Sequence, residues 1–281
     1  MIRLSPRVGI APAVLAVLAA AGGAIPAAAQ PSAVRVAAAE SAAAPHWAAA
    51  GSSTVHPGVR VAMAGVTCVA GFLLTNGRQA FIGVPAGCSG AGQVDNSKCD
   101  AGQVPYGLNV TIGGAKYPGK LVYSSITEMQ LRSERRVNVC ANNSLSLVRI
   151  DPRDIKRTNP SIPALGGPTG VSTAEPTAPA QLTAYLSSPT PAQALSSGSG
   201  GWAHTMMVDG PVSATFAGAP VLTSDGKALG LVTVTPDGGS GRVIATNLRL
   251  ELRYLHKLKK FADVTLAKGT RKFASGLQLL G

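Results

Sequence analysis

Few side chains in this sequence could carry out chemistry. Four histidines, His46, His56, His204 and His256, are the groups that could transfer protons near neutral pH without a large shift. Four cysteines, Cys68, Cys88, Cys99 and Cys140, fall in one region and could hold a metal or pair as disulfides. There is no Cys-x-x-Cys and no histidine between Cys68 and Cys140, so the spacing speaks against zinc. Two disulfides are expected, with three connectivities open. Ser213 or Ser224 with Lys227 could form a Ser-Lys dyad, in which the amine takes the hydroxyl proton. The run Ser224-Asp225-Gly226-Lys227 is better explained as turn chemistry. No phosphate-cradling glycine loop, no His-Glu-x-x-His and no carboxylate pair in a plausible cleft is found, so neither a cofactor nor a metal site is expected.

Elements that could position such groups follow from composition. With 33 Gly, 20 Pro, 14% charged and 4% aromatic residues, the 281-residue chain suits strands and turns better than a helical bundle. At 46% hydrophobic it can bury one large core or two modest ones. Arg3 and Arg7 precede an uncharged stretch from Val8 to Ala29, and Ala27 and Ala29 fit a small-x-small cleavage site before Gln30. A membrane anchor is the competing reading of that length. Gly22, Gly23 and Pro26 favour a cleaved export signal. Export suits disulfides, because thiols outside the cytoplasm pair.

From Gln30 to Pro57 the sequence is Ala-rich and lacks periodicity, as expected of a leader or flexible arm. From Gly58 short β-rich runs alternate with turns: Val59 to Val69, Gly71 to Thr75, Ala80 to Val84, Asn109 to Ile112 and Leu145 to Ile150. Thr75-Asn76-Gly77-Arg78 and Ser224-Asp225-Gly226-Lys227 each predict a hairpin through a type I′ turn, whose two loop residues both need positive φ. A Pro- and Gly-rich stretch from Asn159 to Pro179 separates the two β-rich halves. The expected division is residues 1–29 signal peptide, 30–57 leader, 58–160 first β-barrel, 161–180 linker, and 181–281 second β-barrel with a C-terminal basic helix.

Several segments then occur in a telling order. Thr67-Cys68-Val69-Ala70-Gly71-Phe72 is followed by the first hairpin and by Phe81-Ile82-Gly83-Val84-Pro85-Ala86-Gly87-Cys88. Further on come Cys140-Ala141-Asn142-Asn143, Gly166-Gly167-Pro168-Thr169-Gly170, Gly201-Trp202-Ala203-His204 and Gly226-Lys227-Ala228-Leu229-Gly230. This order resembles the secreted bacterial trypsin-like serine proteases over about Gly58 to Lys272. The resemblance implies an all-β fold of two six-stranded antiparallel β-barrels with a C-terminal amphipathic helix. The family's matching pair, with the spacing, implies bonds Cys68–Cys88 and Cys99–Cys140.

Carried over residue by residue, the family's triad is absent. Where the family places its base His before a half-cystine, this chain has Gly87; where it places the orienting Asp, Ser144; where it places the nucleophile, Ala217. A serine hydroxyl is a weak nucleophile until an imidazole takes its proton, and a carboxylate must hold that imidazole. Phe216 also stands where the family has an acid, beside the backbone N–H groups that would stabilise an oxyanion. His204 falls on a family segment outside the triad. The former cleft is expected to be filled by Phe216 or left as a shallow apolar groove.

Net charge is +12, with a cluster of basic residues from Arg249 onward. Leu248, Leu252, Leu255, Leu258 and Ala262 predict one amphipathic helix, with Arg249, Arg253, Lys257 and Lys260 as a basic stripe. Such a stripe is either a solvated face or a contact for anionic wall polymer or lipid headgroups. No nucleic-acid partner is expected, since no aromatics alternate with the charges. The leading expectation is a secreted, non-catalytic homologue that binds peptide or protein. An active hydrolase with an unconventional site and a wall- or surface-associated structural protein are the other two classes.

Overall fold

The computed structural model describes residues 45–90, 99–234 and 241–275. The export signal and the leader as far as residue 44 lie outside the described residues.

The first half forms β1 (Arg60–Met63), β2 (Val66–Val69), β3 (Leu73–Thr75), β4 (Ala80–Pro85), β5 (Asn109–Ile112), β6 (Gly119–Ser124) and β7 (Leu145–Arg149). Their order is β3-β4-β7-β6-β5-β1-β2, all antiparallel. Because β2 runs on into β3 through Ala70–Phe72, the two ends of this sheet are one bent strand, which rolls it into a six-stranded barrel. Alternate residues of β1 and β5 point inward, and Val61, Met63, Val110 and Ile112 join a core with Leu73, Ile82, Val84, Leu121 and Val148.

The second half forms β8 (Gly170–Val171), β9 (Gln181–Tyr185), β10 (Pro189–Gly198), β11 (Ala203–Val208), β12 (Pro220–Thr223), β13 (Lys227–Val234) and β14 (Arg242–Thr246). Strands β12-β9-β10-β11-β14-β13 close on themselves through a β12–β13 pairing. Leu182, Ala192, Met206, Val221, Val232 and Val243 fill this barrel. Between the barrels lies a third apolar layer of Phe72, Phe81 and Leu147 from one side and Leu222, Ala228 and Leu231 from the other. The helix α3 (Leu248–Leu255) covers it with Leu248, Leu252 and Leu255. Two short helices, α1 (Ser125–Leu131) and α2 (Val137–Asn142), complete the first barrel. Two barrels with a C-terminal helix are the chymotrypsin-type double-barrel fold.

The disulfides are Cys68–Cys88 and Cys99–Cys140. Both expected hairpins form, but with another turn. At each only the glycine has positive φ, +83° at Gly77 and +77° at Gly226. Side chains shape these turns instead: the Asn76 carboxamide oxygen accepts from the backbone N–H of Arg78 (3.1 Å) and Gln79 (2.8 Å), and Thr223 Oγ1 accepts from Lys227 N–H at 3.0 Å. A two-residue loop with both φ positive occurs where no signal marked it, at Ala64-Gly65 (+48° and +79°), splitting the run Val59 to Val69 into β1 and β2.

Two further segments lie elsewhere than expected. Residues 45–57 belong to the body: Val55 is fully buried and its N–H, like that of Thr54, donates to Arg157 O at 3.0 Å. The predicted helix ends at Leu255, because Leu258 is extended (φ −93°, ψ 116°). The chain then returns to the first barrel as β15 (Thr265–Leu266), paired with β3. Phe261 wedges edge-on between Phe81 and Tyr123, at 6.4 and 5.6 Å.

Candidate functional site

Gly87, Ser144 and Ala217, the positions singled out by the family resemblance, are drawn together by backbone contacts. Gly87 sits in the single turn Ala86–Ser89 that follows β4, pinned to β2 by the Cys68–Cys88 bond. It is exposed, and a Cβ there would have no neighbour within 4 Å, so the position is open. The adjacent Ala86 N–H donates to Ser144 O at 2.9 Å. Ala217 lies in the loop between β11 and β12, and its carbonyl accepts from Val69 N–H at 2.8 Å. Next to it, Gly218 has φ +100°, and a Cβ on it would stand 1.9 Å from the Val69 carbonyl oxygen and 3.2 Å from Pro85 Cδ. Only glycine allows that approach. Each position therefore lies within two residues of a contact joining it to another.

None of the three carries an imidazole or a carboxylate. Ser144 is buried, with its N–H donating to Glu251 Oε1 at 3.0 Å. Glu251, fully buried on α3, also accepts from Thr246 Oγ1 at 3.0 Å through its other oxygen. Sequence reasoning missed this carboxylate. The signal was there, because Glu251 sits at i+3 from Leu248 and four before Leu255, on the apolar face of the helix. Its charge and, above all, burial raise the Tyr123 hydroxyl well above its usual pKa.

The backbone N–H groups beside Ala217 are paired within their own turn. In the turn Ala214–Phe216 the Thr215 N–H donates to Ser213 Oγ (3.3 Å), Phe216 N–H to Ser213 O (3.0 Å) and Ala217 N–H to Ala214 O (3.1 Å). An oxyanion hole needs such N–H groups unpaired and convergent on the developing charge. Phe216 is half-buried and packs against the second barrel's core.

A hydroxyl, an imidazole and a carboxylate do meet elsewhere. His204 on β11 is fully buried; its Nδ1 lies 3.1 Å from Ser197 Oγ on β10 and 3.6 Å from Glu175 Oε2. Both partners crowd the same ring nitrogen, while Nε2 is buried with no hydrogen-bond partner. A relay needs the nucleophile on one nitrogen and the acid on the other, so this cluster cannot pass a proton from serine toward the acid. Burial pushes the His204 pKa down, against the pull of Glu175. Glu175 is held further by Asn247 Nδ2 at 3.0 Å and Arg249 Nη2 at 3.1 Å.

The remaining candidates form no such cluster. His46 is exposed; His56 Nδ1 lies 2.8 Å from Pro57 O and His256 Nε2 2.7 Å from Val264 O. Lys227 is paired with Asp225 at 2.7 Å and Ser213 caps its own turn, so no Ser-Lys dyad forms at either serine. The basic stripe is dispersed. Arg249 is engaged by Glu175, Arg253 is exposed on the helix, and Lys257 and Lys260, past its end, lie over the Tyr254 (4.6 Å) and Tyr106 (5.0 Å) rings.

No protein-family model matches the chain, and no curated protein matches it. Solved structures similar to it include Protease A of Thermobifida fusca, 15% identical with a TM-score of 0.49, covering 76% of this chain and 99% of that one. A glutamic-acid-specific serine protease described as using a histidine triad in substrate binding is 13% identical, TM-score 0.48, with coverage of 76% and 100%. The Nocardiopsis protease is 17% identical, TM-score 0.43, with coverage of 75% and 98%.

Proposed function

We propose that this chain is a secreted, non-catalytic homologue of the trypsin-like serine proteases that acts by holding a peptide or protein. The observation that carries this reading is the turn at Ala214–Phe216, whose N–H groups at 215, 216 and 217 are all consumed within the turn. Residue replacement removes the nucleophile, base and acid; the closed turn removes the electrostatic stabilisation that would survive their loss. Two disulfides fit an oxidising compartment, in keeping with an export signal at residues 1–29. An extended peptide beside the former cleft would be held by main-chain hydrogen bonds, so binding would be weak and sequence-tolerant.

An active-site-directed fluorophosphonate, applied to the purified protein, tests the reading. No serine is expected to be labelled. Restoring Gly87→His, Ser144→Asp, Phe216→Asp and Ala217→Ser together should still leave labelling far below that of an active protease while the turn keeps its internal hydrogen bonds. Labelling of the unaltered protein at any serine overturns the proposal.

A further inference from the structure

On the first barrel, away from Gly87, Ser144 and Ala217, four segments converge on a cavity of about 600 Å³. Arg78 comes from the β3–β4 hairpin, Lys116 and Tyr117 from the β5–β6 turn, and Arg153, Lys156 and Arg157 from the short 3-10 helix Pro152–Arg157, while Pro45 and His46 also line the space. This brings five cationic side chains to one concave surface.

Both acids nearby are already neutralised. Asp154 is fully buried; it accepts from the Lys116 and Tyr117 N–H groups at 3.0 and 2.8 Å and pairs with Arg157 at 3.4 Å. It thereby fixes the β5–β6 turn against the helix, setting Lys116 and Lys156 around the same space. Asp151 is gripped by Arg153 through two hydrogen bonds of 2.9 and 2.8 Å, which pull its carboxyl down to about 2. The Arg153 guanidinium also lies 3.5 Å over the Tyr117 ring, which orients it. Arg78, Lys116 and Lys156 are exposed and have no ion-pair partner among the described residues.

We propose that this cavity is a binding site for a small polyvalent phosphate, such as an oligophosphate or a short phosphorylated segment. Three uncompensated charges around a small volume call for a ligand with several negative charges close together, and the volume lies in the range of small-ligand sites. Guanidinium and ammonium groups together suit phosphoryl oxygens, the first by its planar fork and the second as a point charge. A lipid surface fits less well, because the cations line a concavity rather than a plane. Nucleic acid fits less well too, because Arg153 covers the Tyr117 face on which a base would stack.

Calorimetric titration of the purified full chain with tripolyphosphate, at about 50 mM and about 300 mM salt, tests the site. Saturable 1:1 binding is expected at low salt, weakened at least tenfold or so at the higher salt. The double variant Lys116→Glu/Lys156→Glu should weaken it by about a hundredfold, Lys116→Met/Lys156→Met by about tenfold, and Arg253→Glu/Lys257→Glu by less than about twofold. All four substituted residues are exposed, and near-UV circular dichroism verifies that each variant is folded. Absence of binding at low salt, or equal losses in the cavity and helix variants, overturns the proposal. So does attachment to phosphatidylglycerol vesicles without tripolyphosphate binding.

Discussion

Two regions divide the requirements of serine chemistry between them. Gly87, Ser144 and Ala217 are drawn together at the junction of the barrels, but they carry no imidazole and no carboxylate, and their one hydroxyl, on Ser144, is buried. Ser197, His204 and Glu175 carry all three groups, yet two of them meet a single ring nitrogen and the other nitrogen is sealed in. A constellation is defined by which atom faces which, and composition alone would not have told the two regions apart. The first region is held by backbone hydrogen bonds and a close glycine contact; the second is a clasp by which Glu175, from the connection between the barrels, is tied to β11 and α3. Each can be broken separately.

The largest effect is expected at the first region. Gly218→Ala would put a methyl group 1.9 Å from the Val69 carbonyl at a φ of +100°, so the loop must shift and lose the Ala217 contact to β2. A loss of about 3 to 4 kcal/mol is expected from urea unfolding. A loss under about 1 kcal/mol would mean that the junction is not held there. Next comes the pair Cys68→Ser/Cys88→Ser, which opens a link spanning 20 residues and frees the turn bearing Gly87. About 3 kcal/mol should go on the chain-entropy account, read from the same unfolding curves.

How much of this was legible depended on whether the determinant was local. The barrel cadence, the hairpins at Asn76-Gly77 and Asp225-Gly226 and the cystine framework rest on neighbouring residues or on segment order, and all of them appear in the structure. The turn type did not, because backbone hydrogen bonds to the Asn76 and Thr223 side chains override the two-residue preference. Ala64-Gly65 escaped notice since alanine seldom takes a positive φ. The helix was read too long: Leu258 and Ala262 continue its apolar spacing, but the chain turns away so that Phe261 can reach Phe81 and Tyr123. Glu175 gave no local sign of its partners, which lie 29, 72 and 74 positions onward at His204, Asn247 and Arg249. The cationic cavity is similarly built from distant segments.

In the second region a pH experiment isolates the imidazole. Burial holds the folded pKa of His204 below its ordinary 6.5, so between the two values the unfolded chain binds more protons. Stability from the neutral ring is therefore present above about 6.5 and is lost as pH falls from there toward the folded value. Glu175 opposes that loss and Arg249 adds to it. The urea midpoint should fall between pH 7 and pH 5, and His204→Gln, costing about 1 to 2 kcal/mol in packing at neutral pH, should flatten that part of the profile. An unchanged slope in the variant would assign the loss to another group.

Ser197→Ala should do least, and for that reason it discriminates best. The hydroxyl is exposed, and its 3.1 Å contact to His204 Nδ1 competes with Glu175 for the same nitrogen. Removing it leaves Glu175 as the partner of Nδ1, so the cluster keeps an acceptor and the change should stay within about 0.5 kcal/mol. If Ser197 were instead an activated nucleophile, its loss would abolish any fluorophosphonate labelling while barely moving stability. A serine that acts needs the ring to take its proton through a nitrogen that no carboxylate also claims. Labelling that is present in the unaltered protein and vanishes in Ser197→Ala would show that the ring turns over to present Nε2, making the second region rather than the first the place where this fold does chemistry.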